Sequence, residues 1–410
     1  MALPFFDFNV YSALLLVGWV NGLVHAFLLL MRWSKDRRLS DLLAAAIVLV
    51  FCTYAAQWML GFAGWYDARD WRTVVMFYFP WDQLLALGPL MYFYLRTVTN
   101  VEFPWSRGAL YHFLPWAGVM LLYLLAAGFD LVYTAGLLDQ PLPYFYGTRG
   151  TLREHFWLYD PRVESLLSAI TYAHLAVYGA LVIKTYRRYR KYLAEGFSDD
   201  TGLALAGLRN LVVLILGGIV LSFAVATYQS AYGEVRYVSE WWHHLIVASL
   251  GTLAGIQFYQ VSGSRTALLR YTPGAVDELA TTAEITEVDR RIWNKVGERM
   301  RRHRDFLEPD LRLCQLAERV GEQDKQLSAA INRCARQNFN DHVNGLRCEY
   351  LVDRLRAGDH RQQTLLALAL DAGYNSKSTF NRAFRKHYGC SPREAIHRLE
   401  EGGNLSQKMI

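Results

Sequence analysis

The sequence predicts an all-α protein, in which a seven-transmembrane helix bundle is followed by a cytoplasmic domain with two helix-turn-helix units. Three observations lead to this fold class. Seven apolar stretches occupy most of residues 1–261, and the excess of basic residues lies beyond them. A short pattern, Leu-Ala followed by three residues and Gly, occurs at residues 316–321 and again at residues 368–373.

Composition divides the 410 residues into an apolar part and a basic part. Hydrophobic residues make up 53% of the chain, with 12 Trp, 25 Tyr and 21 Phe. Residues 1–285 contain 20 Lys and Arg and 20 Asp and Glu, whereas residues 286–410 contain 23 and 17 and therefore carry the whole net charge of +6. This division is typical of a membrane domain joined to a domain that binds a polyanion.

Cysteine usage and missing motifs exclude several classes of protein. The five cysteines form no Cys-x-x-Cys pair, which predicts reduced thiols and neither a disulfide framework nor a zinc site. The apolar stretches contain no lysine except Lys184 at a boundary, which excludes a retinal Schiff base. Motifs of phosphate-binding loops, kinases and serine hydrolases are absent. We therefore predict no enzyme activity, no catalytic residue, no metal and no cofactor.

Each apolar stretch approaches the roughly 20 residues that a helix needs to cross about 30 Å of hydrocarbon. The seven stretches are Val10–Met31, Leu42–Phe62, Thr73–Leu95, Leu110–Phe129, Leu166–Ile183, Leu208–Tyr228 and Trp242–Val261. The third stretch is interrupted by Pro80 and Pro89, but proline is tolerated in spanning helices because neighbouring groups satisfy the freed carbonyls. We therefore predict that it is also a spanning helix.

The charges of the connecting loops predict the orientation of the bundle. Lys and Arg concentrate in the first, third and fifth loops, and five of them lie between Lys184 and Lys191 in the fifth. Basic loops stay on the cytoplasmic side of a membrane. The N-terminus is therefore expected outside, and after seven crossings the basic C-terminal part is expected in the cytoplasm.

Polar side chains inside the apolar stretches predict a ligand site, because burying them in lipid is costly. Asp82 is expected near the middle of the third stretch and His174 at a similar depth in the fifth. We predict an outward-facing pocket in which Asp82 supplies charge; the alternative is that its polar residues form only interhelical hydrogen bonds. The proposed lining is Gln57, Trp58, Asp82, His174, Tyr228, Gln229, His243 and His244. The aromatic loop 141–159 is expected either to cover this pocket or to pack against lipid.

Composition changes again after the last apolar stretch. A Ser-Gly-Ser and a Pro-Gly sequence predict a linker, and apolar residues at positions 292, 296 and 300 predict a basic helix after it. The predicted domains are a transmembrane domain at 1–261, a linker at 262–290, a helix-turn-helix domain at 291–400 and a tail at 401–410.

Each copy of the repeated pattern is followed by a polar turn and an amphipathic run. Leu327 and Ile331 form the apolar face of the first run, and Phe380 and Phe384 form that of the second. A helix, a glycine turn and a second helix make a helix-turn-helix, since glycine can end the first helix in the left-handed conformation at little cost. Two such units in about 80 residues indicate a reader of double-stranded DNA.

A longer pattern surrounds the two copies. Its positions are Pro309, Leu311, Leu313, Leu316, Ala317, Gly321, Leu327, Ser328, Ile331, Asn332, Phe339, Val343, Asn344, Arg347, Leu351, Leu355, Ala369, Gly373, Tyr374, Ser378, Phe380, Arg382, Phe384, Gly389, Ser391 and Pro392. With this pattern, the C-terminal quarter resembles the DNA-binding domain of the arabinose-regulator (AraC/XylS) family. The resemblance implies a transcription regulator, and because membrane-anchored members occur in bacteria, we expect the cytoplasmic (inner) membrane as its location.

The resemblance also implies which side chains meet DNA. Base contacts fall on Lys325, Ser328, Ala329 and Asn332 in the first unit and on Lys377, Ser378, Asn381 and Arg382 in the second; phosphate contacts fall on Arg333, Arg336, Arg385 and Lys386. Arginine and lysine suit guanine, and asparagine suits adenine. The alternative for each base contact is a phosphate contact or a solvated surface position. Ala329 stands where the family commonly has arginine, so the first unit is expected to be less specific.

Helix caps predict a second difference between the two units. Asn375 is expected to cap the second recognition helix, whereas Gln323 is a poor cap for the first, which we expect to be less firmly started. Ser391 to Glu394 form a capping box with proline at the first helical position.

These features predict a one-component regulator whose bundle senses an external or membrane-borne ligand, a small molecule or a lipid, and whose tail binds DNA. Its expected partners are the lipid bilayer, double-stranded DNA, the unidentified ligand and a second copy of the chain in a homodimer. Two alternatives stay open: a transporter or membrane enzyme with an appended regulatory domain, and a membrane-tethered factor that proteolysis releases.

Overall fold

In the computed structural model of the chain, the described residues are 6–100, 103, 105–139, 161–198, 205–232, 237–262, 284–401 and 405. Over these ranges the chain forms helices and no β-strand, which confirms the predicted all-α class. The chain divides into two compact units. The first comprises Met1–Tyr186 and Ala206–Arg270, and the second comprises Arg187–Leu205 and Tyr271–Ile410.

The helices of the first unit follow the predicted apolar stretches. They are α1 (Val10–Asp36), α2 (Leu39–Phe62), α3 (Trp71–Tyr78), α4 (Leu84–Thr99), α5 (Leu114–Gly128), α6 (Pro161–Gly196, with residues from Arg187 in the second unit), α7 (Leu205–Tyr232) and α8 (Tyr237–Ser262). A 3-10 turn at Arg107–Phe113 precedes α5, and a π-helical stretch at Phe129–Leu137 continues it. The predicted aromatic loop 141–159 lies outside the described residues.

The predicted third helix is wrong as one continuous helix. It is split into α3 and α4, because Pro80 lacks a backbone N–H and disfavours helical conformation in the residue before it. Phe79 accordingly has an extended conformation (φ −72°, ψ 132°). Pro89 lies inside α4 without ending it. Five helical stretches are long and apolar enough to cross a membrane; the count of seven crossings stays a prediction.

The first unit buries one face of its helices and leaves large apolar side chains exposed on the other. Leu15 of α1, Met59 of α2 and Trp241 of α8 lie in one buried cluster. On α1, exposed apolar residues recur at helical spacing; they are Val10, Leu14, Val17, Val20, Val24, Phe27 and Met31. Such a stripe is typical of a surface that another apolar phase covers.

A buried ion pair joins the ends of three helices in this unit. The guanidinium of Arg32 at the end of α1 donates to both carboxylate oxygens of Asp41 in α2, at 3.0 and 3.1 Å. It also donates to the carbonyl of Tyr259 in α8 at 3.0 Å. Because Asp41 is fully buried, this bidentate pair holds the three helix ends together.

The described part of the second unit contains seven further α-helices. They are α9 (Glu287–His303), α10 (Leu313–Val320), α11 (Asp324–Ala335), α12 (Phe339–Arg356), α13 (Leu365–Asp371), α14 (Lys377–Tyr388) and α15 (Pro392–Glu400). Helices α10 and α11 form the first helix-turn-helix, and α13 and α14 form the second. Helix α12 joins them and contributes to both hydrophobic cores, with Val343 in the first and Leu351 in the second.

Glycine is required at both turns, as predicted. Gly321 has φ 70° and Gly373 has φ 87°, in the left-handed region that L-residues with side chains adopt at a cost. At Gly373 a Cβ atom would also lie 2.6 Å from the carbonyl oxygen of Leu307. The turn of the second helix-turn-helix therefore packs directly against the loop that precedes the first helix-turn-helix.

Candidate nucleic-acid interface

Helix α14 presents a polar, basic face to solvent. Its apolar side is buried through Phe380 and Phe384. The side chains of α14 that are predicted to meet DNA are all exposed; they are Lys377, Ser378, Asn381, Arg382, Arg385 and Lys386. Five of these residues, all except Ser378, line an open groove of about 830 Å³ together with the N-terminus of α15. This arrangement suits the entry of a helix into a major groove, with the first turns at the base edges.

Ser376, and not Asn375, caps the second recognition helix. The hydroxyl of Ser376 accepts a hydrogen bond from the N–H of Thr379 at 3.2 Å, so the prediction of an Asn375 cap is wrong by one residue. The amide of Asn375 instead donates to the carboxylate of Asp310 at 2.9 Å. Both residue types are good caps, and the turn geometry decides which one lies at the helix start.

Helix α11, in the first helix-turn-helix, exposes fewer of its predicted contact residues. Lys325 is exposed, but Ser328 and Ala329 are 6% and 8% exposed, and Asn332 is partly buried. Gln323 is the N-cap residue and makes no side-chain capping hydrogen bond, as expected. The polar surface that α11 offers to DNA is therefore smaller than that of α14.

Arg333 of α11 has a partner within the domain. Its guanidinium donates to the carboxylate of Asp289 in α9 at 2.9 Å. Burial raises the pKa of Asp289, but hydrogen bonds from Thr286 and Arg333 more than offset this effect and lower it. Asp289 is therefore ionised at neutral pH, and Arg333 is held in an ion pair within this domain. The exposed Arg336 lies at the end of the same helix.

The basic face also includes a residue that the sequence analysis did not assign to DNA. Arg393 lies in the first turn of α15, is exposed and lines the same groove as Arg382 and Arg385. The signal was present in the sequence, because the capping box from Ser391 to Glu394, which the structure confirms, places Arg393 at a helix N-terminus. Lys386, in contrast, forms an ion pair with Asp341 of α12 at 2.5 Å.

Some residues of the predicted ligand pocket lie together in the compact unit formed by the apolar helices. His244 is buried, and its ring stacks on Trp58 at a centroid distance of 3.7 Å. His243 is adjacent, with its Nε2 atom 3.1 Å from the hydroxyl of Ser222. The side chain of Gln229 donates to the carboxylate of Glu240 at 2.7 Å.

The other predicted pocket residues make separate contacts. The carboxylate of Asp82 accepts a hydrogen bond from the N–H of Leu84 at 2.9 Å, at the start of α4. The ring of His174 lies 4.7 Å from that of Tyr178, and Gln57 donates to the hydroxyl of Tyr66 at 3.4 Å. Tyr228 is 56% exposed. The hydrogen bond between Gln229 of α7 and Glu240 of α8 joins two helices, as the alternative of interhelical hydrogen bonds predicts, whereas Tyr66, the partner of Gln57, lies in the turn after α2.

The bundle contains a small apolar cavity beside this cluster. Its volume is about 20 Å³, and its lining includes Tyr54, Tyr172 and Ser222. Tyr54 also stacks on His244 at a centroid distance of 4.9 Å. A space of this size holds about one water molecule. A larger ligand would therefore require the helices around Tyr54 to separate.

Two helix-turn-helix units on one connecting helix, with an exposed basic recognition face, define a DNA-binding module of a transcription regulator. Residues 316–398 match a family model described as a helix-turn-helix domain, of the AraC type, which confirms the resemblance for the C-terminal region. Neither a curated protein nor a solved structure is significantly similar to this chain.

Proposed function

We propose that this chain is a membrane-embedded one-component transcription regulator. The observation that carries the proposal is the joining, in one chain, of a helix-turn-helix module to helices that are long and apolar enough to span a bilayer. Exposed large apolar side chains support it, because they are numerous on α1 and its neighbours. In the described part of the second unit, by contrast, the exposed large apolar side chains are limited to Ile285, Val288, Leu366 and Leu370.

The distribution of charge supports a cytoplasmic location for the DNA-binding module. The basic loops alternate with loops that have fewer basic residues, as in inner-membrane proteins whose C-terminus lies inside. The whole net charge of +6 lies in residues 286–410, where it would meet DNA phosphates. In this proposal the second unit binds DNA while the first remains in the bilayer.

Ligand sensing requires two states of the bundle that bind the ligand unequally. The cluster of Trp58, His243 and His244 beside the small cavity is the candidate site, and Asp82 would supply charge when the helices separate. The ligand class is a small polar or amphipathic molecule from outside or from the membrane. A homodimer would place two modules on paired half-sites.

The proposal can be tested with the full-length protein in lipid nanodiscs. The protein is expected to select duplexes from a random-sequence library and to protect two segments about one helical turn apart. The matched variant Asp82→Asn is expected to keep this selection and, in cells, to change the dependence of a reporter on growth conditions. Recovery of the chain in the soluble fraction, or selection of no sequence, would contradict the proposal.

A further inference from the structure

The segment that follows α6 is buried against the helix-turn-helix module. Phe197 and Ser198, called here the docking segment, belong to the second unit, and Ser198 is 0% exposed. Its N–H donates to the carbonyl of Leu311 at 3.1 Å, next to a bridge between Phe197 and Arg312. A residue from a loop between two apolar helices thus forms backbone pairing with the loop before the first helix-turn-helix.

Side chains of α12 donate hydrogen bonds to the carbonyl groups of the docking segment. The amide of Asn340 donates to the carbonyl oxygens of Phe197 and Ser198 at 2.9 and 3.0 Å. The amide of Asn344 donates to the carbonyl of Ser198 at 3.1 Å. The guanidinium of Arg312 lies over the Phe197 ring, 5.6 Å from its centroid. Because buried carbonyls without donors are costly, these contacts specify one position for the segment.

The docking segment also completes the surroundings of a buried cation. Arg347 of α12 is 0% exposed, and its guanidinium donates to several uncharged oxygens. It donates to the carbonyl oxygens of Phe306 and Glu308, each at 2.6 Å, and to the hydroxyl of Ser198 at 3.2 Å. Loss of an acceptor from a buried guanidinium is costly. The position of the loop that carries these carbonyls is therefore coupled to that of Ser198.

That loop, residues 306–312, is where the two helix-turn-helix units meet. The second unit contacts it through the amide of Asn375, which donates to Asp310. It also contacts the loop at Gly373, where only a glycine fits against the carbonyl of Leu307. The docking segment therefore contacts this junction, the loop at which the two helix-turn-helix units meet.

We propose that the docking segment is the regulatory contact through which α6 controls DNA binding, an inference that rests on the proposed function. When Ser198 is docked, the junction is ordered and the two recognition helices hold the spacing that successive major grooves require. A movement of α6 that withdraws Ser198 exposes Arg347 and loosens the junction. DNA affinity then falls without any change in the recognition helices themselves.

The test compares Ser198→Trp with Ser249→Trp in the full-length protein in nanodiscs. An indole does not fit at a fully buried position, so Ser198→Trp should release the segment. Ser249 is exposed on α8, and its hydroxyl bonds only to the carbonyl of Leu245 in the same helix, so its exchange is the matched control. A milder variant, Phe197→Ala, removes only the ring beneath Arg312.

Two measurements are needed. Hydrogen–deuterium exchange should increase in peptides covering 306–312 for Ser198→Trp, while peptides of α14 keep their protection, which shows that the module is folded. Affinity for a duplex selected by the wild-type protein should fall roughly tenfold, because the loosened junction must be ordered again when DNA binds. Phe197→Ala should give a smaller change in the same direction, and Ser249→Trp should give none.

The outcomes separate this inference from the proposed function. Unchanged exchange at 306–312 in Ser198→Trp would overturn the docking contact. Increased exchange with unchanged affinity for the selected duplex would overturn its regulatory role. If the wild-type protein selects no duplex, the proposed function fails, and the exchange data alone still decide whether the segment docks.

Discussion

The two helix-turn-helix units share a plan but differ in how they present their recognition helices. Helix α14 starts at a serine cap and exposes Asn381 and Arg382 in an open groove. Helix α11 starts at Gln323 without a side-chain cap, and it holds Ser328 and Ala329 in the interior. The same fold thus supports one unit suited to reading bases and one suited to positioning.

The neighbours of each unit explain part of this difference. Helix α9 packs on α11 through Ile292, Val296 and Met300, and its Asp289 pairs with Arg333. The second helix-turn-helix is instead flanked by α15, whose Arg393 adds positive charge to the exposed groove. We infer that sequence selectivity lies mainly in α14, while α11 contributes affinity that depends on the junction loop.

The largest expected effect is the loss of selectivity when Asn381 and Arg382 are both exchanged for Ala. Each good base contact is worth about 1–3 kcal/mol, so affinity for the selected duplex should fall about 100-fold or more. Affinity for random duplex should fall much less. Fluorescence anisotropy with both duplexes measures this, and equal loss on both would contradict base reading by α14.

The second prediction concerns the stability of the DNA-binding domain in acid, near the first helix-turn-helix. Burial lowers the pKa of His342, whose ring lies 4.9 Å from that of Trp293 in α9, to about 4. The unfolded chain protonates this imidazole below about pH 6.5, whereas the folded chain does so only near pH 4. The unfolded state therefore binds more protons between these values, and stability is lost as the pH falls through this window.

Part of the His342 side chain remains exposed to solvent. The loss of unfolding free energy should therefore be about 2 kcal/mol or less. Urea unfolding of the full-length protein in nanodiscs, monitored by hydrogen–deuterium exchange of peptides that contain His342, measures it. His342→Gln should show a weaker pH dependence. The pKa of His387 in α14 is also lowered by burial, so some acid sensitivity should remain in that variant; an unchanged profile would assign the effect to other groups.

The third prediction compares the helix starts. Ser376→Ala should destabilise the module by about 1 kcal/mol, because the N–H of Thr379 loses its acceptor. Gln323→Ala should have almost no effect, since no capping bond is lost there. Gln323→Ser should stabilise α11 by about 0.5 kcal/mol or more if the start of that helix is frayed. Equal effects at the two positions would remove this difference between the units.

The smallest expected effect is that of Lys325→Ala in α11. If Lys325 meets a phosphate, affinity should fall a few-fold on every duplex, and the slope of binding against salt should decrease by about 1. Titrations at several salt concentrations measure this slope. A loss confined to the selected duplex would show instead that the first unit also reads bases.

The sequence predicted most of the fold because its elements depend on local patterns. The glycine turns, the capping box at Ser391 and the poor cap at Gln323 are each set by a few adjacent residues, and all are confirmed. The break at Pro80 and the cap at Ser376 were missed because helix boundaries depend on details within one or two residues.

Contacts between distant residues could not be predicted in the same way. Ser198 meets Asn344 from 146 positions away, and Asp289 meets Arg333 from 44. Nothing in the local sequence marks these pairs, because hydrogen bonds of this kind are fixed by tertiary packing. The docking segment and the partner of Arg333 therefore emerged only from the structure, and the predicted DNA and ligand contacts remain predictions.

The buried ion pair between Arg32 and Asp41 also bears on how the chain could be engineered. Since the same guanidinium holds the carbonyl of Tyr259 near the end of α8, that helix end is fixed to α1 and α2. Insertions of different lengths between Ser262 at the end of α8 and Thr286, which caps α9, should leave regulation intact as long as the docking segment is unchanged.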